Sequence, residues 1–247
     1  HFSLLLPEKD GSEPIVFPII NLDWKPDIEF FGGKFNLNVN SVNIIRKTDG
    51  NTQRLSIKTS WKKDIITKSG HLIDLGIFTR GDLYRSTKKY IPNNSTRLLS
   101  SNPFGDEINI GRILPSYFME WKYPVVSPNG HTIIEPIVNF TLAPSDKEYL
   151  KIPNEDSIAF ELNSVNILDT DRIQGFDRWE YGNRINYGLQ VSHFWGERVI
   201  KALLAQSYRF SELNYSNTGN GLRKKFSDLI FDICLLYTSD AADDVEC

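Results

Sequence analysis

Lys34-Phe35-Asn36-Leu37-Asn38-Val39-Asn40 and Arg54-Leu55-Ser56-Ile57-Lys58-Thr59-Ser60-Trp61 decide the fold class. Phe35, Leu37 and Val39 alternate with lysine and asparagines. Leu55, Ile57, Thr59 and Trp61 alternate with Arg54, Ser56, Lys58 and Ser60. A period of two sends successive side chains to opposite faces of a strand, whereas a helix repeats about every 3.6 residues. Between the runs lies Thr48-Asp49-Gly50-Asn51, and an Asp-Gly step is a tight-turn signal. The pair reads as a β-hairpin.

The same period recurs along the chain. Ile73, Leu75 and Ile77 share a face, as do Tyr117, Met119, Trp121 and Tyr123. The latter strand turns through Ser127-Pro128-Asn129-Gly130 into one bearing Ile134, Val138, Phe140 and Leu142. Ile185, Tyr187, Leu189 and Val191 are followed, after a short connection from His193 to Arg198, by Ile200, Ala202, Leu204, Tyr208 and Phe210. A final strand is expected over Phe226 to Ile233. Several runs keep the alternation for roughly 10 to 14 residues, where ordinary strands hold about 5 to 6. At ~3.3 Å per residue and a tilt near 45°, about 13 residues cross ~30 Å, the thickness of a bilayer core. Short turns alternate with the long segments 86–111 and 143–182, the asymmetry of outer-membrane barrels. The expected fold is all-β: an antiparallel transmembrane β-barrel, incomplete, an open section of a larger barrel. A soluble β-sandwich with one solvated face remains the alternative from alternation alone.

Composition is compatible with either. The 247 residues are 40% hydrophobic and 24% charged, with 15 Phe, 10 Tyr and 5 Trp. Such aromatic content suits strands and the aromatic girdles of barrels. A net charge of -3 and a pI near 5.9 argue against a basic nucleic-acid-binding surface. No window approaches the ~18 consecutive apolar residues of a transmembrane helix. The chain starts at His1 without a signal-peptide pattern, which says nothing about secretion. From Cys234 to Asp244 it reads CLLYTSDAADD, resembling a conceptual translation of a sequencing adapter. Residues 1–233 are therefore taken as the partial barrel and 234–247 as a non-native tail, a short natural acidic tail being the alternative. Both cysteines, Cys234 and Cys247, fall in that tail, so the preceding segment offers no disulfide, thiolate nucleophile or cysteine metal ligand.

Chemistry-bearing motifs are sparse. His1, His71, His131 and His193 are scattered through turns and strand ends with no metal-ligand spacing, and no nucleophile elbow or phosphate loop occurs. Glu155-Asp156, Asp169 and Asp171 lie in a long connection. Paired carboxylates serve glycosidases, but flanking Pro153-Asn154 and Gly175 favour turn capping. The sequons at Asn139 and at Asn94-Ser95-Thr96 are expected by chance in an Asn-rich chain. Catalysis has no positive signal. One stretch is denser in polar groups than a loop requires: Pro153, Asn154, Glu155, Asp156 and Ser157 lead through Phe160 and Arg172 to Gly175, Asp177, Arg178, Glu180, Gly182 and Arg184, then to Tyr187 in a strand. Asp177, Arg178, Glu180 and Arg184 are expected to form a charge network fixing strand register and loop position, direct ligand contact being the alternative.

These residues carry a resemblance. Ile152-Pro153-Asn154-Glu155-Asp156-Ser157, the run Gly175 to Leu189 (GFDRWEYGNRINYGL) and Ala205 to Phe210 (AQSYRF) resemble the C-terminal barrel region of the LptD family. Phe17-Pro18, Gln53-Arg54, Glu120 to Pro124 and Ile134 to Ile137 agree, so the likeness covers about residues 14 to 233. The resemblance implies a barrel of the Gram-negative outer membrane that takes lipopolysaccharide from a periplasmic bridge protein and delivers it to the outer leaflet. It implies outer-membrane lipids around the wall, an LptE-type lipoprotein plug inside, no cofactor, no nucleic acid and no enzymatic activity. The family's periplasmic jellyroll is not visible, at least the last barrel strand is expected to be missing, and no family disulfide carries over.

Overall fold

The computed structural model describes residues 14–46, 50–87, 107–145, 148, 151–157, 161–211 and 224–237. Thr48-Asp49, Asn94-Ser95-Thr96, Phe160 and the stretch 238–247 lie outside them. The strands are β1 (Ile15–Trp24), β2 (Glu29–Phe30), β3 (Gly33–Ile45), β4 (Thr52–Ile66), β5 (Leu72–Ser86), β6 (Ile108–Lys122), β7 (Val125–Val126), β8 (Thr132–Leu142), β9 (Arg184–Trp195), β10 (Arg198–Arg209) and β11 (Ile230–Tyr237). They form one antiparallel sheet in the order β1-β3-β4-β5-β6-β8-β9-β10-β11, with β2 beside β3 and β7 beside β8. The sheet is open: β1 and β11 do not pair with each other.

The expected hairpin is present, with Asn40 opposite Ser56 and Val39 opposite Ile57. From β3 to β6 the register runs without a slip, so every side chain keeps its face across four strands. β9 and β10 close even more tightly than expected: Trp195 pairs with Arg198 across Gly196-Glu197, and Gly196 takes φ +59°, a left-handed conformation glycine adopts without strain. The 127–130 turn is pinned by Gly130 N donating to Ser127 O at 2.9 Å. β1, which sequence reading did not foresee, pairs with β3 through a bulge between Val16 and Ile19. β11 begins four residues later than expected and continues to Tyr237, so residues 234–237 of the stretch read as a tail extend its pairing with β10.

The two sheet faces differ sharply. One carries Arg54, Ser56, Arg80, Asp82, Arg112, Asn139, Thr141, Arg184, Asn186, Ser207 and Arg209, all buried. The other carries Ile57, Leu83, Ile113, Tyr117, Leu189 and Leu204, all exposed, Ile113 at 75%. That inverts the soluble pattern, in which charge faces water and apolar groups hide. The ends differ too. Strands are joined at one end by 25–32, 67–71, 123–131 and 196–197, and at the other by 46–51, 87–107, 143–183 and 210–229. The 143–183 connection explains how charge comes to be buried: it packs on the charged face. Its Ile152, Ile167, Ile173 and Trp179 are buried, each isoleucine contributing about 1.5–3 kcal/mol. No helix among the described residues is long and apolar enough to cross a membrane, which says nothing of strands.

Candidate functional site

Two ion clusters fasten the 143–183 connection to the charged face. The first is built by two short segments that hold each other. Asn154 makes a local turn, its Nδ2 donating to Ser157 O at 2.8 Å and its Oδ1 accepting from Ser157 N at 3.0 Å. That turn presents Ser157 Oγ to the N–H groups of Asp177 (3.0 Å) and Arg178 (2.9 Å). Asp156 Oδ1 accepts from Phe176 N at 2.9 Å and Asp177 N at 3.1 Å. In return, Asp177 Oδ2 accepts from Glu155 N at 2.6 Å and Asp156 N at 3.0 Å. Gly175 makes the fit possible: at φ +94°, an added Cβ would lie 2.6 Å from Asp156 O.

The strands supply the countercharges. Arg54 Nη1 on β4 donates to Asp177 Oδ1 at 2.7 Å and lies 2.8 Å from Asp156 Oδ2. The Tyr84 hydroxyl on β5 has Phe176 O at 2.9 Å and Asp177 Oδ1 at 3.1 Å within reach of its single proton. Arg112 on β6 donates to the carbonyls of Phe176 and Asp177 at 3.1 and 3.0 Å, while its Nε donates to Asp82 Oδ2 at 2.6 Å. Asp82 is also gripped by Arg80 Nε at 2.9 Å, and Arg80 Nη1 donates to Arg178 O at 3.0 Å. Arg178 itself donates to Ile152 O at 2.8 Å. Glu155 faces Arg46 beyond β3, accepting from Nη2 at 2.7 Å, and accepts from Thr52 Oγ1 at 2.8 Å. The Phe176 ring lies 4.1 Å from Lys58 Nζ and 4.8 Å from the Arg54 guanidinium carbon.

The second cluster centres on buried Glu180. Arg172 Nε donates to its Oε2 at 2.8 Å, Arg184 lies 3.5 Å from Oε2, and Arg209 of β10 donates to Oε1. Arg209 also donates to Tyr181 O at 3.2 Å. Gly182 N donates to Ala143 O at 2.9 Å, closing the neck of the connection.

Burial governs the acids of this connection. It pushes the Asp171 carboxyl up, against the pull of Lys58, Arg80 and Arg184. It pushes Asp177 up too, helped by the neighbouring Asp156 charge and opposed by Arg54. Burial also raises Asp156, but the Phe176 N–H and Arg54 outweigh it and bring that carboxyl below its ordinary range.

Of the residues singled out in the sequence, Asn154, Glu155, Asp156, Ser157, Gly175, Asp177 and Arg178 meet in the first cluster, with Pro153 beginning its turn. Glu180 and Arg184 belong to the second, so the four charges expected to form one network are divided between two. Tyr187 belongs to neither. It lies on the apolar face and donates its hydroxyl to Gln206 Oε1 at 2.6 Å, because its odd position in β9 points away from Arg184 and Asn186. The Glu155-Asp156 pair does not cap its own turn; Asn154 does that, and the carboxylates reach β4 and the 176–177 backbone. Sequence reading missed most of the strand half of the first cluster, Arg80, Asp82, Tyr84 and Arg112, and Arg209 in the second. The available signal was charged side chains at the polar positions of otherwise alternating strands. Among the described residues no group of three or more His, Cys, Asp or Glu side chains is placed to hold a metal.

A family model described as "LptD: LPS transport system D" matches residues 1–239. No curated protein matches the chain.

Proposed function

The chain belongs to the LptD family, and on that premise we propose that it forms an open section of a transmembrane β-barrel wall serving lipopolysaccharide transport. The observation that carries this reading is the inverted sheet, with exposed apolar side chains on one face and buried arginines on the other. The apolar face meets lipid and the charged face lines the lumen. On β4 the lipid-facing positions run from Leu55 to Ile65, with Thr59 within them and Lys63 near the short-turn end, where its ammonium donates to Phe31 O at 3.1 Å. Ten residue steps of ~3.3 Å, tilted near 45°, give about 23 Å, against the ~25 Å apolar band of outer-membrane barrels. Toward the short-turn end stand Trp24, Trp195 and the stacked His71, Trp121 and Tyr123, as an aromatic girdle would. Short turns then face the periplasm and long connections the cell exterior.

In this arrangement the 143–183 connection enters from outside and lies against the lumen wall. Lipopolysaccharide has a large polar head and several acyl chains, so its passage needs a polar interior for the head beside an apolar route for the chains. The wall supplies the two environments on its two faces. Cargo arrives from a periplasmic bridge protein, and an LptE-type lipoprotein fills the remaining lumen. The family is one of transport, and we assign the chain no catalytic step and no cofactor.

Two measurements test the reading. Membranes carrying the intact protein are washed with carbonate, and the protein is expected to stay in the outer-membrane fraction. Surface lipopolysaccharide is then measured after depletion of the protein and is expected to fall. Complete carbonate extraction refutes the barrel, and unchanged surface lipopolysaccharide refutes the cargo.

A further inference from the structure

On the apolar face, strands β3 to β6 change character at one line. Asn43 pairs with Gln53, Gln53 with Arg85 and Arg85 with Asn109. Four hydrogen-bonding side chains therefore stand in one row across four strands. The adjacent row toward the short-turn end is Ser41, Leu55, Leu83 and Gly111, and beyond it the face is dominated by apolar side chains such as Val39, Ile57 and Ile113. A groove of about 690 Å³ crosses these rows, within the ~300–1,000 Å³ usual for ligand sites. A glycine helps keep it open: a Cβ added at Gly111, which lines the groove, would meet only Leu83 Cδ2, at 3.4 Å.

We propose that this groove binds one lipopolysaccharide molecule from the membrane side, its headgroup on the Asn43–Gln53–Arg85–Asn109 row and an acyl chain along Leu55 and Leu83. The inference rests on the reading of the sheet as an outer-membrane wall, which places the row at the outer-leaflet end. The row spans three inter-strand spacings, about 14 Å. That is wider than a single phosphodiester headgroup and suits a phosphorylated disaccharide. Asn43 Nδ2 already donates to Phe17 O at 2.9 Å, so it offers chiefly its Oδ1, while the Gln53 and Asn109 amides serve sugar hydroxyls and the Arg85 guanidinium serves phosphate. Arg85 reaches Glu107 at 3.3 Å, but both side chains are at least half exposed. Such a pair is weak in water and open to exchange for a phosphate. No carboxylate stands in the row itself.

The test uses the intact protein, extracted from outer membranes in mild detergent and analysed by native mass spectrometry for bound lipid. Two variants of opposite chemistry are compared with wild type: Gln53→Ala/Arg85→Ala, which removes headgroup donors, and Gly111→Leu, which fills the groove and leaves the row. Wild type is expected to retain one lipopolysaccharide molecule through washing, and retention to fall about tenfold in each variant. Two independent variants keep the test decisive should one fail to insert. Equal retention in all three proteins, or phospholipid in place of lipopolysaccharide, overturns the site and leaves the transport reading standing. Recovery of wild type outside the outer membrane overturns both.

Discussion

Replacing Asp177 by alanine removes the group on which both halves of the first cluster converge. Its Oδ1 accepts from Arg54 at 2.7 Å and lies 3.1 Å from the Tyr84 hydroxyl, and its Oδ2 accepts from Glu155 N at 2.6 Å and Asp156 N at 3.0 Å. In the variant Tyr84 keeps Phe176 O, and Arg54 keeps Asp156 and Asn40 Oδ1. The two backbone donors keep nothing from the lost side chain. Both donors are part-buried, so each lost partner costs toward the lower end of the range, about 1 kcal/mol, and the pair about 2 kcal/mol. Breaking a buried ion pair costs about 3–5 kcal/mol when one charge is stranded, and Asp156 offsets part of that at Arg54. A value of about 4 kcal/mol follows, roughly a thousandfold in the equilibrium between docked and released connection. The backbone ladders of β4 and β5 are untouched, so the loss falls on the connection and not on the wall. Hydrogen exchange on the membrane-embedded protein separates the two: peptides covering 151–157 and 172–180 exchange about a thousandfold faster, while β4 and β5 peptides are unchanged. Tyr84→Phe removes only a hydroxyl and costs about 1 kcal/mol, a roughly fivefold effect at the same peptides. Unchanged protection at 151–157 in Asp177→Ala, or equal deprotection of β4, refutes the hub.

Other changes give distinct outcomes. Gly175→Ala combines a left-handed φ with a Cβ 2.6 Å from Asp156 O, so it weakens docking by about 1–3 kcal/mol, read as protease cleavage within 151–180. On the membrane-wall reading, Leu189→Arg places charge at the centre of the lipid-facing side of β9, where it costs about 2–4 kcal/mol, whereas Gln190→Arg lies on the lumen-facing side. Assembled protein in outer membranes therefore falls for the first and holds for the second, and equal yields refute the face assignment. Leu55→Arg, one row from Gln53 and Asn43, is the milder lesion because such costs shrink toward the interface. Asp171→Asn tests the sign of a buried acid. The folded-state value lies above the ordinary one, so the native protein binds that proton more tightly and carries a penalty at pH above the raised value. The variant connection is expected to be better protected than wild type at pH 8, with the difference closing as pH falls toward the ordinary carboxylate range. A difference that grows on acidification reverses the sign.

The strands were legible because their outer positions are apolar for many residues in a row; β3, β4, β9 and β10 announce themselves by that alone. β1 was not legible. Its Phe17-Pro18 step and the bulge between Val16 and Ile19 interrupt the alternation. The first half of β6 was hidden by Gly111, Leu114 and Pro115, which put a gap and a proline on the outer face and an apolar group on the inner one. The 143–183 connection was legible as polar and dense, and its residues do gather, yet nothing local says which strand each charge meets. Arg54 and Asp177 are 123 residues apart. A pairing that distant depends on sheet register and on where the connection lands, neither of which a periodicity carries. Tyr187 shows the converse: its neighbours in the motif suggested the cluster, while its parity in the strand assigned it to the other face.

Fastening the connection with ions is not the tightest solution. Buried ion pairs replaced by apolar groups of like volume are often neutral or more stable by about 1–4 kcal/mol. In the proposed membrane wall a leucine-lined inner face would, however, leave strands apolar on both sides, and a one-residue slip would then cost nothing, since either set of side chains could meet lipid. Arg54, Arg80, Arg112, Arg184 and Arg209 remove that freedom. At about 2–4 kcal/mol each near the bilayer midplane, and less toward the interfaces, they make the reversed sheet inaccessible. The same arginines then specify the connection. Glu155 meets Arg46 beside β3, Asp177 meets Arg54 on β4 and Glu180 meets Arg209 on β10. Three acids at three strand positions admit one placement, whereas an apolar segment on an apolar face would slide among many. Charge on this face thus costs docking energy, and in the proposed membrane wall it would in exchange fix which side meets lipid and where the connection lies.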